Sequence, residues 1–182
     1  MTDDRLELYR RELLAWNEKI NLIGPEAKAN IEEHIAEALE GAAILEPQRD
    51  VLDFGSGGGF PGIPMAIVSP SARFHLVESD KKKWAFLKHV VRECRLNSVV
   101  YGDRLTSVLT QFSPELRFSL VTSRAVGSPQ AWLPALAPFM EVGGRAALFQ
   151  AAADAVEIAH FRAGEAHKLR RGYLVMFHVE QA

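Results

Sequence analysis

The chain has 182 residues, of which 48% are hydrophobic and 24% charged, with a formal net charge of −2 and one cysteine. Such a composition excludes a disordered or fibrous chain, and such a length suits one domain that buries roughly 70% of its unfolded surface. Cys94 alone excludes an internal disulfide and any multi-cysteine zinc site.

No apolar run reaches the roughly 18 residues of a membrane span. The start, Met1 to Arg5, is acidic and is followed by no apolar stretch, so no signal peptide is expected. A cytoplasmic, metal-free, monomeric enzyme fits these features. With a slightly negative net charge, any nucleic-acid partner requires basic residues gathered on one face.

Leu6, Tyr9, Leu13, Trp16 and Ile20 recur at helical spacing and predict an amphipathic helix from about Asp4 to Lys19. A second helix is expected from Pro25 to Leu45, closed by Pro47. No Gly/Ser/Pro-rich linker follows. Residues 1–48 therefore read as a helical extension packed on a core of residues 49–182, the whole forming a single domain.

From Asp50 strands and helices alternate, the pattern of a mostly parallel sheet covered on both faces. Strands are expected at Val51–Phe54, Arg73–Glu78, Ser98–Tyr101, Phe118–Ser123, Arg145–Phe149 and Leu174–Val179. Helices are expected near Pro61–Val68, Lys81–Leu96, Leu105–Leu109, Pro129–Phe139 and Ala151–Phe161.

The stretch Val51-Leu52-Asp53-Phe54-Gly55-Ser56-Gly57-Gly58-Gly59-Phe60-Pro61-Gly62-Ile63-Pro64 organises the rest. A buried strand feeding a glycine loop and a helix is how an open α/β sheet builds a ligand site at its strand ends. A triphosphate loop needs Lys-Ser/Thr after its last glycine, and here Ile63-Pro64 follows Gly62. Gly57, Gly59 and Gly62 satisfy a dinucleotide fingerprint, but it begins two residues beyond the natural turn residue, Gly55. Asp53, Gly55, Gly57 and Gly59 make the better match, to the acidic-x-Gly-x-Gly-x-Gly pattern of S-adenosylmethionine (AdoMet) methyltransferases. The glycines let the loop pass beneath the methionine part of the cofactor, and Asp53 at the strand end is expected to face its ammonium group directly or through water. Glu78, at the end of the next strand, offers two oxygens to the ribose hydroxyls; NAD enzymes use the same device. The bland alternative for both carboxylates is a pair of solvated strand ends.

Several segments resemble one family closely: Trp16-Asn17 with Asn21-Leu22, the long glycine-proline motif, Glu78-Ser79 with Lys82-Lys83 and Phe86-Leu87, and Ser123-Arg124-Ala125. The sequence is similar to the RsmG (GidB) family of bacterial 16S rRNA guanine-N7 methyltransferases over about Leu6 to Phe149. The resemblance implies a class I, Rossmann-like AdoMet-dependent methyltransferase fold, with a seven-stranded α/β sheet whose last strand is antiparallel. It implies AdoMet as cofactor and 16S rRNA or the 30S subunit as partner. It places cofactor contacts at Gly55, Phe60, the Leu105-Thr106 segment and Arg124. Substrate contacts are expected from Asn17, Asn21, His34 and Arg124. The chain departs from the family at Thr106, where a glutamate is usual, at Glu37-Ala38, where Asp-Ser is favoured, and at Gln150-Ala151, where Lys-Gly is usual.

Guanine N7 carries a lone pair and no proton, so its attack on a sulfonium methyl needs alignment rather than a general base. Alignment contributes up to about 7–11 kcal/mol as effective molarity. No catalytic acid or base is accordingly expected, and Phe60 and Arg124 are the candidates for positioning. Lys81, Lys82, Lys83, Lys88 and Arg92, with Arg162, Lys168, Arg170 and Arg171, are candidate RNA contacts; charge runs of this kind are also common on solvated faces. The alternatives are a small-molecule AdoMet methyltransferase, more remotely an NAD(P) oxidoreductase, and a non-catalytic AdoMet- or rRNA-binding protein of methyltransferase type.

Overall fold

A computed structural model describes residues 4–180; the first three and last two residues, within the stretch read above as lacking a signal peptide and within the 1–182 domain bounds, lie outside the described ones. Seven strands form one sheet in the order β3-β2-β1-β4-β5-β7-β6: β1 Asp50–Phe54, β2 Arg73–Val77, β3 Ser98–Tyr101, β4 Phe118–Arg124, β5 Met140–Gln150, β6 Phe161–Leu169 and β7 Gly172–Val179. The first five pair in parallel, and β7 runs antiparallel to both β5 and β6. This is the class I methyltransferase sheet.

Alternation along each strand divides the core. Val51, Leu120, Ala147 and Leu174 join an apolar cluster on one face, while Leu52, Val121, Ala146 and Val175 join a cluster on the other. The first face is covered by α1 (Asp4–Asn17), α3 (Ile31–Leu45), α4 (Gly62–Val68) and α5 (Lys81–Glu93). Tyr9 and Leu13 of α1 are fully buried in that cluster with Phe74, Leu76 and Phe86, so the N-terminal helices and the sheet share a core. Fully burying a side chain of this size contributes about 1.5–3 kcal/mol. The opposite face is covered by α6 (Leu105–Leu109) and by two 3-10 segments.

Three expected helices differ, and β5 begins five residues earlier than the expected Arg145. The helix predicted over Pro25–Leu45 breaks at Asn30 into α2 (Pro25–Ala29) and α3. Asn30 leaves helical geometry, with φ −118° and ψ 29°, and its side-chain amide donates to the Glu26 carbonyl, a local bond that competes with the helix. The helix expected over Pro129–Phe139 is instead a pair of 3-10 segments, Pro129–Ala131 and Leu133–Phe139. Pro134 and Pro138 supply no amide and crowd the preceding turn, so an α-helical ladder cannot close there.

The helix expected over Ala151–Phe161 is absent. Residues 151–160 form an irregular strap from the end of β5 to the start of β6, exposed except at Ile158. Five alanines give this segment helix propensity but no apolar stripe to bury, and propensity alone does not hold a short helix in water. Strand β6, which no pattern in the sequence announces, is polar and exposed along most of its length because it is the sheet edge.

Candidate active site

The carboxyl ends of β1 to β4 meet the N-terminal helices at a cavity of about 690 Å³. Its floor is Gly55, Ser56, Gly57 and Gly58. The amides of Gly55 and Ser56 both donate to the Val77 carbonyl, at 2.9 and 3.1 Å, which bends the loop over the end of β2. Gly55 has φ +71°, and a Cβ there would lie 2.2 Å from Cγ2 of Val126, so both conformation and space call for glycine. Tyr9, from α1, donates its hydroxyl to the Gly58 carbonyl at 2.8 Å and fixes the loop from beneath.

Glu78 lines the cavity at the end of β2. Its Oε2 accepts from the Gly57 amide and its Oε1 from the Asp80 amide, each at 2.8 Å. Two backbone donors thus hold the carboxylate plane, and each oxygen retains a lone pair for a diol. Leu105, Arg104 and Asp103 close the neighbouring wall after β3.

A second cavity, of about 400 Å³, adjoins the first. His34, Arg124, Ala125, Val126, Gly127 and Glu26 line both; Glu37, Ser123, Trp132, Phe149, Gln150 and Arg171 line only the smaller. The dividing wall is a polar cluster. Arg124 Nη1 lies 3.0 Å from Glu37 Oε2, and Arg124 Nη2 donates to His34 Nδ1. Arg171, at the β6–β7 turn, pairs with Glu26 and Glu33. Burial lowers the Arg124 pKa from its usual value and raises that of Glu37, while the charge of each opposes the other's shift.

The expected residues separate into two groups. Gly55, Gly57, Phe60, Glu78, Leu105, Arg124 and His34 line the larger cavity together. Asp53, Gly59, Thr106, Asn17 and Asn21 line neither cavity. Asp53 does not face a ligand directly: it is fully buried under the loop, where Oδ1 accepts from the Thr122 hydroxyl at 2.8 Å and Oδ2 points at the first turn of α4. Burial pushes its pKa up to about 6, against the opposing influence of the nearby Ser56 hydroxyl, the bonded Thr122 hydroxyl and the Gly62 amide.

Gly59 is a packing position, where a Cβ would meet Ile63 at 2.8 Å and the Tyr9 hydroxyl at 3.0 Å. Thr106 is exposed on α6, and Arg104 and Asp103 occupy the cavity wall instead. Asn17 acts at one remove, accepting from the amides of Leu22 and Ile23, two residues that do line the cavity. Asn21 is exposed. Phe60 is 9% exposed and sits edge-on to Tyr9 with ring centroids 5.7 Å apart, so it offers a cavity wall rather than a free stacking face.

Sequence reasoning missed the contribution of Glu26 and Glu37. His34 and Glu37 are three apart on one helix, which puts them on one face; that spacing was the available signal. Arg171 reaches the site only through the β6–β7 turn, which nothing in the sequence located.

The family model for rRNA small subunit methyltransferase G matches residues 2–180. The chain belongs to that family. A Ribosomal RNA small subunit methyltransferase G from Wolinella succinogenes is 38% identical over an alignment covering 76% of this chain and 72% of the relative. The corresponding protein of Magnetococcus marinus is 35% identical, covering 98% of this chain and 82% of its own length. Among solved structures, a SAM-dependent methyltransferase from Aquifex aeolicus superposes with a TM-score of 0.62 at 12% identity, over 90% of this chain and 97% of that one. MtNAS in complex with S-adenosylmethionine superposes at 0.66 with 15% identity, over 97% of this chain and 75% of that one. At such identities these two speak for the fold alone. Family membership and fold agree: the glycine loop that gave the family resemblance is the floor of the larger cavity.

Proposed function

We propose that the chain transfers a methyl group from AdoMet to N7 of a guanine in 16S rRNA of the small ribosomal subunit. The observation that carries this reading is the pair of adjoining cavities divided by Arg124 and His34. The larger fits the cofactor: a floor of backbone where side chains would intrude, a carboxylate held by two amides for a ribose diol, and a volume in the range of small-molecule sites. The smaller opens beside it at the methyl end and has the polar wall and the aromatic Trp132 and Phe149 that a purine requires.

When bound, AdoMet supplies an electrophilic methyl group. The chain's own residues do the positioning. Gly55, Gly57, Glu78 and Leu105 hold the cofactor; Arg124 and His34 stand between donor and acceptor. Asp53 supports the loop by tying β1 to β4 through Thr122. Neither cavity presents a nucleophile paired with a base, which suits an acceptor nitrogen that carries no proton. The working unit proposed is a monomer, with residues 1–48 and 49–182 acting as one domain. A ribosomal substrate supports a cytoplasmic location; among the described residues no helix is long and apolar enough to cross a membrane.

The test is tritiated methyl transfer from AdoMet to 30S subunits and to naked 16S RNA from a strain lacking the gene. Label is expected at a single guanine N7. No incorporation into either substrate sinks the reading, and label at another atom sinks its specificity.

A further inference from the structure

The wall between the two cavities contains a buried donor that nothing among the described residues satisfies. His34, on α3, is 3% exposed and lines both cavities. Its Nδ1 is bonded to Nη2 of Arg124. A guanidinium has donors only, so Nδ1 is the acceptor and the ring proton of neutral His34 lies on Nε2. Burial, with the charges of Arg124 and Arg171, holds the pKa of the ring below its usual value, while Glu26 opposes the shift.

Among the described residues the Nε2 atom has no hydrogen-bond partner. Glu26 Oε2 lies 3.7 Å away, beyond hydrogen-bond reach, and the other oxygen of that carboxylate is engaged by Arg171 and Asn30. Buried donors are nearly always paired in a working protein, so an orphan on a side chain that lines both cavities, beside the exposed and movable Glu26 carboxylate, marks the place of a ligand acceptor.

We infer that His34 selects the base: its Nε2–H donates to O6 of the target guanine while N7 stays free for the methyl group. This inference rests on the guanine-N7 reading above. Guanine and adenine both present a nucleophilic N7 on the same edge, so the nucleophile cannot tell them apart. They differ at the neighbouring position, where guanine offers an acceptor, O6, and adenine an amino donor. A donor at Nε2 complements the first and opposes the second. Arg124 makes this choice irreversible, because shifting the proton to Nδ1 would set it against the guanidinium. His34 is thus a specificity-determining residue and Arg124 the positioning residue that fixes its tautomer.

The experiment compares 16S RNA, assembled into 30S subunits where required, bearing at the target position guanine, inosine or 2-aminopurine. Inosine keeps O6 and N7 but lacks the 2-amino group; 2-aminopurine keeps N7 and the amino group but lacks O6. For the natural chain, kcat/KM on inosine RNA is expected within about threefold of guanine RNA, and on 2-aminopurine RNA about tenfold to a hundredfold lower, the usual cost of leaving one buried donor unmet.

His34→Phe is expected to lose that same factor on guanine RNA and almost nothing on 2-aminopurine RNA, both measured at saturating AdoMet. His34→Gln, which restores a donor near Nε2, is expected to recover part of the loss. An equal loss by His34→Phe on both RNAs would mean a structural role and overturn the inference. So would equal rates of the natural chain on guanine and 2-aminopurine RNA, a comparison that needs no variant to fold. No transfer to guanine RNA by the natural chain would bring down the N7 reading and this inference together.

Discussion

Arg124 Nη1 stands 3.0 Å from Oε2 of Glu37, whose side chain is 4% exposed. The pair joins the end of β4 to α3 across the mouth of the smaller cavity. Removing one member of a buried ion pair strands the other, at a cost of about 3–5 kcal/mol when both are enclosed. Arg124 keeps 22% of its side chain exposed, so Glu37→Ala is expected to cost less, about 2–3 kcal/mol, read by urea unfolding. Methyl transfer should fall further than AdoMet affinity, because the guanidinium loses its anchor. An unchanged unfolding midpoint with unchanged transfer refutes the role given to the pair.

Gly62 is where α4 comes closest to the sheet. A Cβ there would lie 2.6 Å from Asp53 Oδ2 and 2.8 Å from Leu76 Cδ2, both wholly buried neighbours. Gly62→Ala must push α4 off β1 and is expected to destabilise by about 1–3 kcal/mol. The glycine loop hangs from the same turn, so AdoMet affinity should drop with stability. Thermal unfolding and calorimetry on the same preparation check both; a change in affinity without a change in stability contradicts this account.

Glu78→Gln probes the ribose end of the larger cavity. The natural carboxylate accepts from two amides, whereas a glutamine turns one of its own donors toward Gly57 or Asp80. AdoMet affinity is expected to weaken by about tenfold or more, since a misfit polar contact costs of order 1–3 kcal/mol. Isothermal titration measures it, and an affinity equal to that of the natural chain removes Glu78 from the site.

Asp53 gives the fold a pH signature. Its folded pKa, pushed up to about 6 by burial, lies above the unfolded value of 3.8, so the folded state binds the proton more tightly. The stability it contributes is therefore fully present below 3.8 and is lost as pH rises through about 6. Between pH 5 and pH 7 the natural chain should lose about 1 kcal/mol relative to Asp53→Asn, which has no such proton. Using the difference between the two proteins cancels the opposite trend of His34 and His75, whose pKa values are lowered by burial. A difference that stays flat across this interval excludes the shift.

The parallel half of the sheet was legible in the sequence because its strands are short apolar runs bounded by turns. Val51–Phe54, Ser98–Tyr101 and the hydrophobic stretch before Ser123 sit within a residue or so of where periodicity placed them. The edge was illegible for the opposite reason. Phe161–Leu169 pairs through its backbone and buries little, so it leaves no hydrophobic pattern to find. The same contrast governs the site. Gly55 and Glu78 announce themselves through local motif chemistry, whereas the wall of His34, Glu37, Arg124 and Arg171 is assembled from three distant segments, α3, the end of β4 and the β6–β7 turn. Asp53 was expected to face the cofactor's ammonium group directly or through water; the register of β1 beside Thr122 and the approach of α4, which no local pattern announces, turn its carboxylate inward beneath the loop.

The strap over residues 151–160 has little length to spare. Gln150 pairs with Tyr173 and Phe161 with Val179, six residues along the same strand, so the strap descends about 20 Å. A bridge between Ile158 and Phe161 means the descent is over by Ile158, so eight residues, which reach about 26–29 Å when extended, cover it with only a few ångströms of slack. Shortening the chain here by two residues would pull β6 out of register, while lengthening it would only add slack on the solvent side.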